Sequence, residues 1–311
     1  MTLEAVMTKL IENFGRWLRD ADKSAQTLRA YIGALERFNI WFEQTNRTPL
    51  TAKSLTPTDL RLYRDHLVQA KLKPTSINAN LAALRALGTF ISEKTNSADP
   101  SAKLRGIETT RQHAPKSLTR QELFKLQRAL DHRRAHTERR GNALTWVVRD
   151  EAIIALLLNT GLRVAELCSL DVGDIIVNPR GGKVIVRHGK GRKHREVPLN
   201  ANVREVLRNW LANRQQIVCE GTDAIALFVT KYHKRIGTES IRYLLSELSQ
   251  RAGIDASPHS LRHAFGKNLV DAGESLDRVG ELLGHRSLDT TRIYTAPTEA
   301  DLARAVARLE E

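Results

Sequence analysis

Apolar residues in the first third of the chain recur every three or four positions. Between Thr27 and Phe42 they fall at Leu28, Tyr31, Leu35, Phe38 and Phe42, the spacing of a helix that buries one face. A second helix is expected at Thr56-Pro57-Thr58-Asp59, where a capping Thr precedes proline at the first helical position, carrying Leu60, Tyr63 and Leu67 inward. A third follows Pro74 with Ile77, Leu81, Leu84, Leu87 and Phe90 on its buried stripe. Residues 1–105 therefore read as an all-helical domain. The pattern lapses between about Asp99 and Lys116, a polar stretch with a proline at each end, and residues 106–116 are assigned as the linker.

Residues 117–311 begin sharply. Thr119-Arg120-Gln121-Glu122 is a capping box ahead of an apolar helix. The basic run from His132 to Gly141 reads as an enlarged surface loop between two helices. Ala152 to Leu158 is apolar all round, which predicts a buried helix, and Gly161 then permits a tight turn that launches Arg163 at the start of another. Over residues 174–199 the period switches: Asp174–Val177, Lys183–Arg187 and Arg195–Leu199 are three short strands of an antiparallel sheet, the last two joined through Gly189-Lys190-Gly191-Arg192-Lys193. Helical spacing returns at Val203, Val206, Leu207, Trp210 and Leu211, and again at Ile241, Leu244, Leu245 and Leu248. Thr298 to Leu309 reads as one more amphipathic helix. The expected fold class is mainly α with a small antiparallel β-sheet.

The chain has 311 residues, enough for two domains that each bury a core, and 41% of them are hydrophobic. Its formal net charge of +14 points to a polyanionic partner. Lys and Arg outnumber Asp and Glu both before and after residue 105, which favours a protein that grips its partner from two sides. An anionic membrane surface would also attract such a chain, but no apolar run approaches the length needed to span a bilayer. The start, Met1-Thr2-Leu3-Glu4-Ala5, lacks the basic and apolar regions of a signal peptide, so the expected location is cytoplasmic. Two cysteines, Cys168 and Cys219, have no paired spacing; they are read as packing residues, not as a disulfide or a metal site.

Chemistry concentrates near the C-terminal end. Ser257 and Pro258 suit the cap and first position of a helix, so His259 falls in the first turn and shares a face with Arg262. The free N–H groups of that turn add attraction for an anion, making a cradle for one phosphate. Gly284 stops a helix after Val279, Leu282 and Leu283, leaving His285 just outside it. Tyr294 can approach His285 only if the chain breaks between them, and Ser287 and Asp289 can supply the break by side-chain capping. Singly, each residue has an ordinary reading: a capping His, a core Tyr, a surface Arg163, a basic hairpin tip at Lys190.

Together they do not. Thr160-Gly161-Leu162-Arg163-x-x-Glu166-Leu167, His259-x-x-Arg262, Leu283-Gly284-His285 and Tyr294, in that order, resemble the tyrosine recombinases of the phage-integrase family, and the bacterial Xer-type recombinases most of all. The resemblance implies a helical core-binding domain over 1–105 and an α+β catalytic domain over 117–311 that clamp duplex DNA. It implies site-specific cleavage and rejoining of DNA strands through a 3′-phosphotyrosine, without metal, ATP or other cofactor. Arg163 and Arg262 would hold the phosphate, with Glu166 in support. Lys190 would be the acid for the departing oxygen, His259 the proton acceptor or relay, His285 a hydrogen-bond donor and Tyr294 the nucleophile. The resemblance further implies a homo- or hetero-tetramer on two duplexes, the tail helix docking on a neighbour, and a role in Xer-like dimer resolution or in mobile-element integration and excision. The alternatives are a type IB topoisomerase-like nicking and sealing activity and a non-catalytic architectural DNA-binding protein.

Overall fold

The computed structural model describes residues 3–21, 23, 25–108, 117–141, 143–187, 194–219, 221, 223–285, 291–295 and 306–307. The chain divides into two compact units, Met1–Gln112 and His113–Glu311.

Among its described residues the first unit holds four helices: α1 (Leu3–Asp20), α2 (Ala25–Asn46), α3 (Pro57–Gln69) and α4 (Pro74–Thr95). The three expected from periodicity are α2 to α4; α1 was not singled out by it. Their core joins Phe14 and Leu18 to Leu35, Phe38 and Phe42, to Leu60 and Tyr63, and to Leu81, Leu84 and Leu87. The start of α3 is fixed reciprocally: the Asp59 backbone N–H donates to Thr56 Oγ1 at 3.3 Å, and the Thr56 N–H donates to the Asp59 carboxylate at 2.9 Å. Beyond α4, the Asn78 side chain binds the backbone of Ile107 in both directions, at 2.8 and 2.9 Å, holding the chain against this unit.

The second unit contains α5 (Arg120–Arg139), α6 (Thr145–Thr160), α7 (Val164–Ser169), α8 (Ala201–Ile217), α9 (Thr238–Ala252), α10 (Pro258–Asp271) and α11 (Leu276–Leu283), with strands β1 (Ile175–Val177), β2 (Gly182–Arg187) and β3 (His194–Pro198). The sheet is antiparallel in the order β1-β2-β3, with Val184 opposite both Ile175 and Val197. Its inward residues Val184, Val186 and Val197 join a core built on α6, whose Ile153, Ile154, Leu156 and Leu157 are all buried, as a run apolar on every face requires. Trp210 of α8 is fully buried and its indole N–H donates to the Leu227 carbonyl at 3.0 Å.

The basic run after His132 is helix, not loop: α5 continues through it to Arg139. Arginine is a good helix former, and here the charges are partnered. Arg133 pairs with Asp150 at 2.8 Å and with Glu247 at 3.2 Å, while Arg134 pairs with Glu151. The turn comes only at Gly141, whose φ is +62°. Cys168 is buried as expected, whereas Cys219 is exposed and does not serve as a packing residue.

Candidate active site

Two glycine turns build the site. After α6, Gly161 adopts the left-handed conformation, φ +60°, and a Cβ there would lie 2.5 Å from Phe265 and 2.6 Å from Leu283. Only glycine lets the chain turn beneath α10 and α11, bury Leu162 and present Arg163 as the cap of α7. Gly284 ends α11 in the same conformation, φ +65°, with Arg195 pressed against it.

Arg163 is held by a carboxylate one turn on. Its backbone N–H and its guanidinium both donate to Glu166, at 2.8 and 2.9 Å, and its side chain remains about 47% exposed. Glu166 in turn accepts a fork from Arg195 on β3, at 2.9 and 2.8 Å, and Arg195 Nε donates to the Leu282 carbonyl at 2.9 Å. Burial would raise the Glu166 carboxyl, but the hydrogen bonds and charge of Arg195, followed by those of Arg163, hold it at about 2. It is therefore a fixed anion that joins α7, β3 and the end of α11.

Arg262 lies deeper. Ser257 starts α10 with reciprocal bonds to Ser260, at 2.8 and 3.1 Å, and one turn in, Arg262 is only 4% exposed. Its guanidinium donates to the carbonyls of Gly161 and, at 2.7 Å, Leu283. Those carbonyls close α6 and α11, where the helix dipoles leave partial negative charge, so a buried cation is tolerated between two helix ends. Burial, then the neighbouring charge of Arg163, lowers Arg262 to about 10, still protonated at neutral pH. Two of its five N–H donors are used this way.

His259, in the first turn of α10, stands at the exposed rim. Its ring meets His263 edge-on, centroids 4.2 Å apart, as residues one helical turn apart should. His263 is buried and its Nδ1 lies 3.2 Å from the Tyr294 hydroxyl. Tyr294 sits in a 3-10 turn, Arg292–Thr295, its ring packed with Phe265, Val279 and Leu283. Gly266 makes room for that ring: a Cβ there would lie 2.7 to 3.0 Å from three of its carbons. His285 stacks nearly parallel to Tyr294, 7° between planes and 6.2 Å between centroids, and its Nδ1 is 3.0 Å from Thr291 Oγ1. That bond ties the chain just after α11 to the chain just before Tyr294.

Burial first, then nearby positive charge, keeps the imidazoles neutral. His263 falls to about 4 through burial, His259, Arg262 and His285; His285 falls to about 4 through burial, Arg262, Arg163 and Arg195. His259 is lowered by burial and the same two arginines, Arg262 and Arg163. The Tyr294 phenol is raised by burial, with Arg262 and Arg163 opposing. The arrangement offers fixed cations for an oxyanion, neutral imidazoles that can donate or accept a proton, and one phenol.

Of the six residues singled out in the sequence, Arg163, His259, Arg262, His285 and Tyr294 fall in this one site; Lys190 lies outside the described residues, as do Ser287, Asp289 and all of the tail helix but Val306 and Ala307. Sequence reasoning assigned nothing to Arg195 or His263. The signals were present: Arg195 lies two residues before core-facing Val197 and so on the same inward face of the strand, where a charge demands a partner, and His263 is one turn from His259. Among the described residues no group of three or more His, Cys, Asp or Glu side chains is placed to hold a metal ion, and no helix is long and apolar enough to cross a membrane.

Comparison with known proteins adds to this geometry. Residues 116–301 match the phage integrase family and residues 11–94 the phage integrase N-terminal SAM-like domain. The tyrosine recombinase XerA of Pyrococcus furiosus is 32% identical over 311 residues, spanning 99% of this chain and 96% of its own. That of Thermococcus kodakarensis is 31% identical over 300 residues, spanning 96% and 94%. The crystal structure of a XerH site-specific recombinase in a post-cleavage complex with palindromic difH substrate has the same fold, with a TM-score of 0.74 at 23% identity, covering 91% of this chain and 80% of that one.

Proposed function

The chain belongs to the phage integrase family of tyrosine recombinases, and we propose that it cleaves and rejoins duplex DNA at specific sites with Tyr294 as the nucleophile. The observation that carries this reading is the gathering of a buried phenol, its hydroxyl 3.2 Å from His263 and its ring stacked on His285, into the site that holds Arg163 and Arg262, whose charge opposes the rise burial gives that phenol. Phosphoryl transfer asks a protein chiefly for position and charge stabilisation. Arg163, half exposed, and Arg262, anchored between helix ends, hold the nonbridging oxygens of the scissile phosphate. His285 donates a hydrogen bond to the phosphate, and His259 serves as proton acceptor or relay. Lys190 protonates the departing 5′-oxygen. Tyr294 becomes esterified to the 3′-phosphate, a free 5′-hydroxyl leaves, and attack by another strand's hydroxyl restores the backbone. The ester retains the energy of the original bond, so no nucleotide cofactor enters the balance.

The all-helical first unit and the catalytic unit share the grip on DNA, in keeping with a net charge of +14. The working assembly is a tetramer on two duplexes, with the C-terminal tail docking on a neighbour, and the protein acts in the cytoplasm. Likeness to XerA proteins along nearly the whole chain favours Xer-type dimer resolution over movement of a mobile element.

The test is a covalent trap. Protein incubated with fragmented source DNA is denatured in detergent, and the DNA still attached is sequenced, for wild type and Tyr294→Phe. One recurrent sequence recovered only with wild type is expected. DNA binding with no Tyr294-dependent adduct would overturn the proposal, and Tyr294-dependent relaxation of site-free supercoiled DNA would make the enzyme a type IB topoisomerase instead.

A further inference from the structure

Resting on the reading of Tyr294 as nucleophile, we propose that His263 is the catalytic residue that accepts the phenolic proton, and that His259 is the outer member of a two-histidine relay. Burial raises the Tyr294 phenol above its ordinary pKa of about 10, so it needs an acceptor at neutral pH. Among the described residues, the hydrogen-bond partner of the Tyr294 hydroxyl is His263 Nδ1, at 3.2 Å, the reach required of a general base. His259 meets the ring of His263 at 4.2 Å. Both ends of the bond are enclosed, with His263 5% and Tyr294 4% exposed. The ring lies flush on the backbone of α10 at Gly266, one turn from His263, which brings the hydroxyl within reach of that imidazole. α10 therefore fixes the bond from both sides, by the Cβ it provides at His263 and the Cβ it omits at Gly266.

The surrounding charges give the transfer its direction. His263 is neutral in the free site, so with its proton on Nε2 it offers a lone pair at Nδ1. The groups that bear on it are His259, Arg262 and His285, and Arg262 also favours the phenolate form of Tyr294. A phosphodiester seated on Arg262 brings one negative charge, which offsets that arginine and makes His263 more basic at the moment a base is needed. In the step itself the Oη–P bond forms as the P–O5′ bond breaks, the phenolic proton passes to Nδ1, and a second proton passes to O5′ from the acid on the leaving-group side. Rejoining runs the same transfers backward.

The substrate for the test is a nicked duplex carrying the sequence recovered by the covalent trap, made with either oxygen or sulfur at the bridging 5′ position. A 5′-thiolate leaves without protonation, so sulfur relieves the loss of an acid and not the loss of a base. His263→Phe, which keeps a ring in the packing, and His263→Ala should bind DNA as wild type and form adduct about 10²- to 10⁴-fold more slowly. The loss should be equal on both substrates, and added imidazole should restore part of the rate in His263→Ala. Lys190→Ala should recover on sulfur. Independently of any DNA, ¹⁵N spectra of His263 should show a neutral ring protonated at Nε2. Adduct formation at the wild-type rate in His263→Phe, recovery of the His263 variants on sulfur, or a proton on Nδ1 would overturn the assignment while leaving Tyr294 as nucleophile. Absence of any adduct with wild type would remove both.

Discussion

Replacing Gly266 by alanine should separate catalysis from folding. The new Cβ would lie 2.7, 2.9 and 3.0 Å from Cζ, Cε1 and Cε2 of Tyr294. Carbon atoms settle at about 3.5–4.0 Å, so the ring must retreat by roughly 1 Å. Overpacking of this kind costs about 1–3 kcal/mol. Alanine in place of glycine inside a helix returns about 1 kcal/mol. The net loss is about 0–2 kcal/mol, a fall in Tm of no more than about 8 °C for a unit of this size. The same retreat breaks the 3.2 Å bond between Tyr294 and His263 and moves the hydroxyl off the line of attack. A misplacement near 1 Å costs on the order of 10²-fold in rate. Thermal unfolding and adduct formation on a nicked substrate, measured on one preparation, therefore should diverge: a folded, DNA-binding protein with cleavage slowed about a hundredfold. Cleavage at the wild-type rate would refute the reasoning, as would loss of the folded state.

Three further outcomes follow from named contacts. Arg195→Gln and Glu166→Gln should each slow cleavage, and the double variant should be little worse than either, because Arg195 acts on Arg163 through Glu166; additive losses in a double-mutant cycle would separate them. Asp150→Ala should cost about 3–5 kcal/mol in a urea titration, since it removes the buried carboxylate that faces Arg149 and leaves Arg133 with Glu247 alone; a loss under about 1 kcal/mol would show that the cluster is not tightly packed. Stability should fall as pH drops from about 6.5 toward 4, because the unfolded chain protonates its histidines near about 6.5 while His263 and His285 resist until about 4. The unfolded state then binds more protons, so acid favours it; His263→Phe should show a shallower fall, and an unchanged slope would contradict the neutral ring.

What was legible in the sequence depended on near neighbours. The caps at Thr56, Thr119 and Ser257 and the stops at Gly161 and Gly284 are decided within a few residues, and each lies where the sequence puts it. The buried course of α6 follows from a run apolar on every side. The basic run after His132 misled because its partners, Asp150, Glu151 and Glu247, come from other helices and its charges looked unpaired without them. Arg195 and His263 were missed for a related reason. Their significance rests on Leu282 and Glu166 in one case and on Tyr294 in the other, contacts that span from 29 to 87 residues. α1 escaped notice although Phe14 and Leu18 lie at helical spacing in its buried face.

The most direct test of the central claim is to find the atom that carries the DNA. Protein trapped on a nicked substrate is digested with nuclease and protease, and the peptides are sequenced by mass spectrometry for one that bears a nucleotide 3′-phosphate. The account predicts that mass on the peptide containing Tyr294, localised to the phenol. The same mass on any other residue, or adducts that persist in Tyr294→Phe, would contradict it.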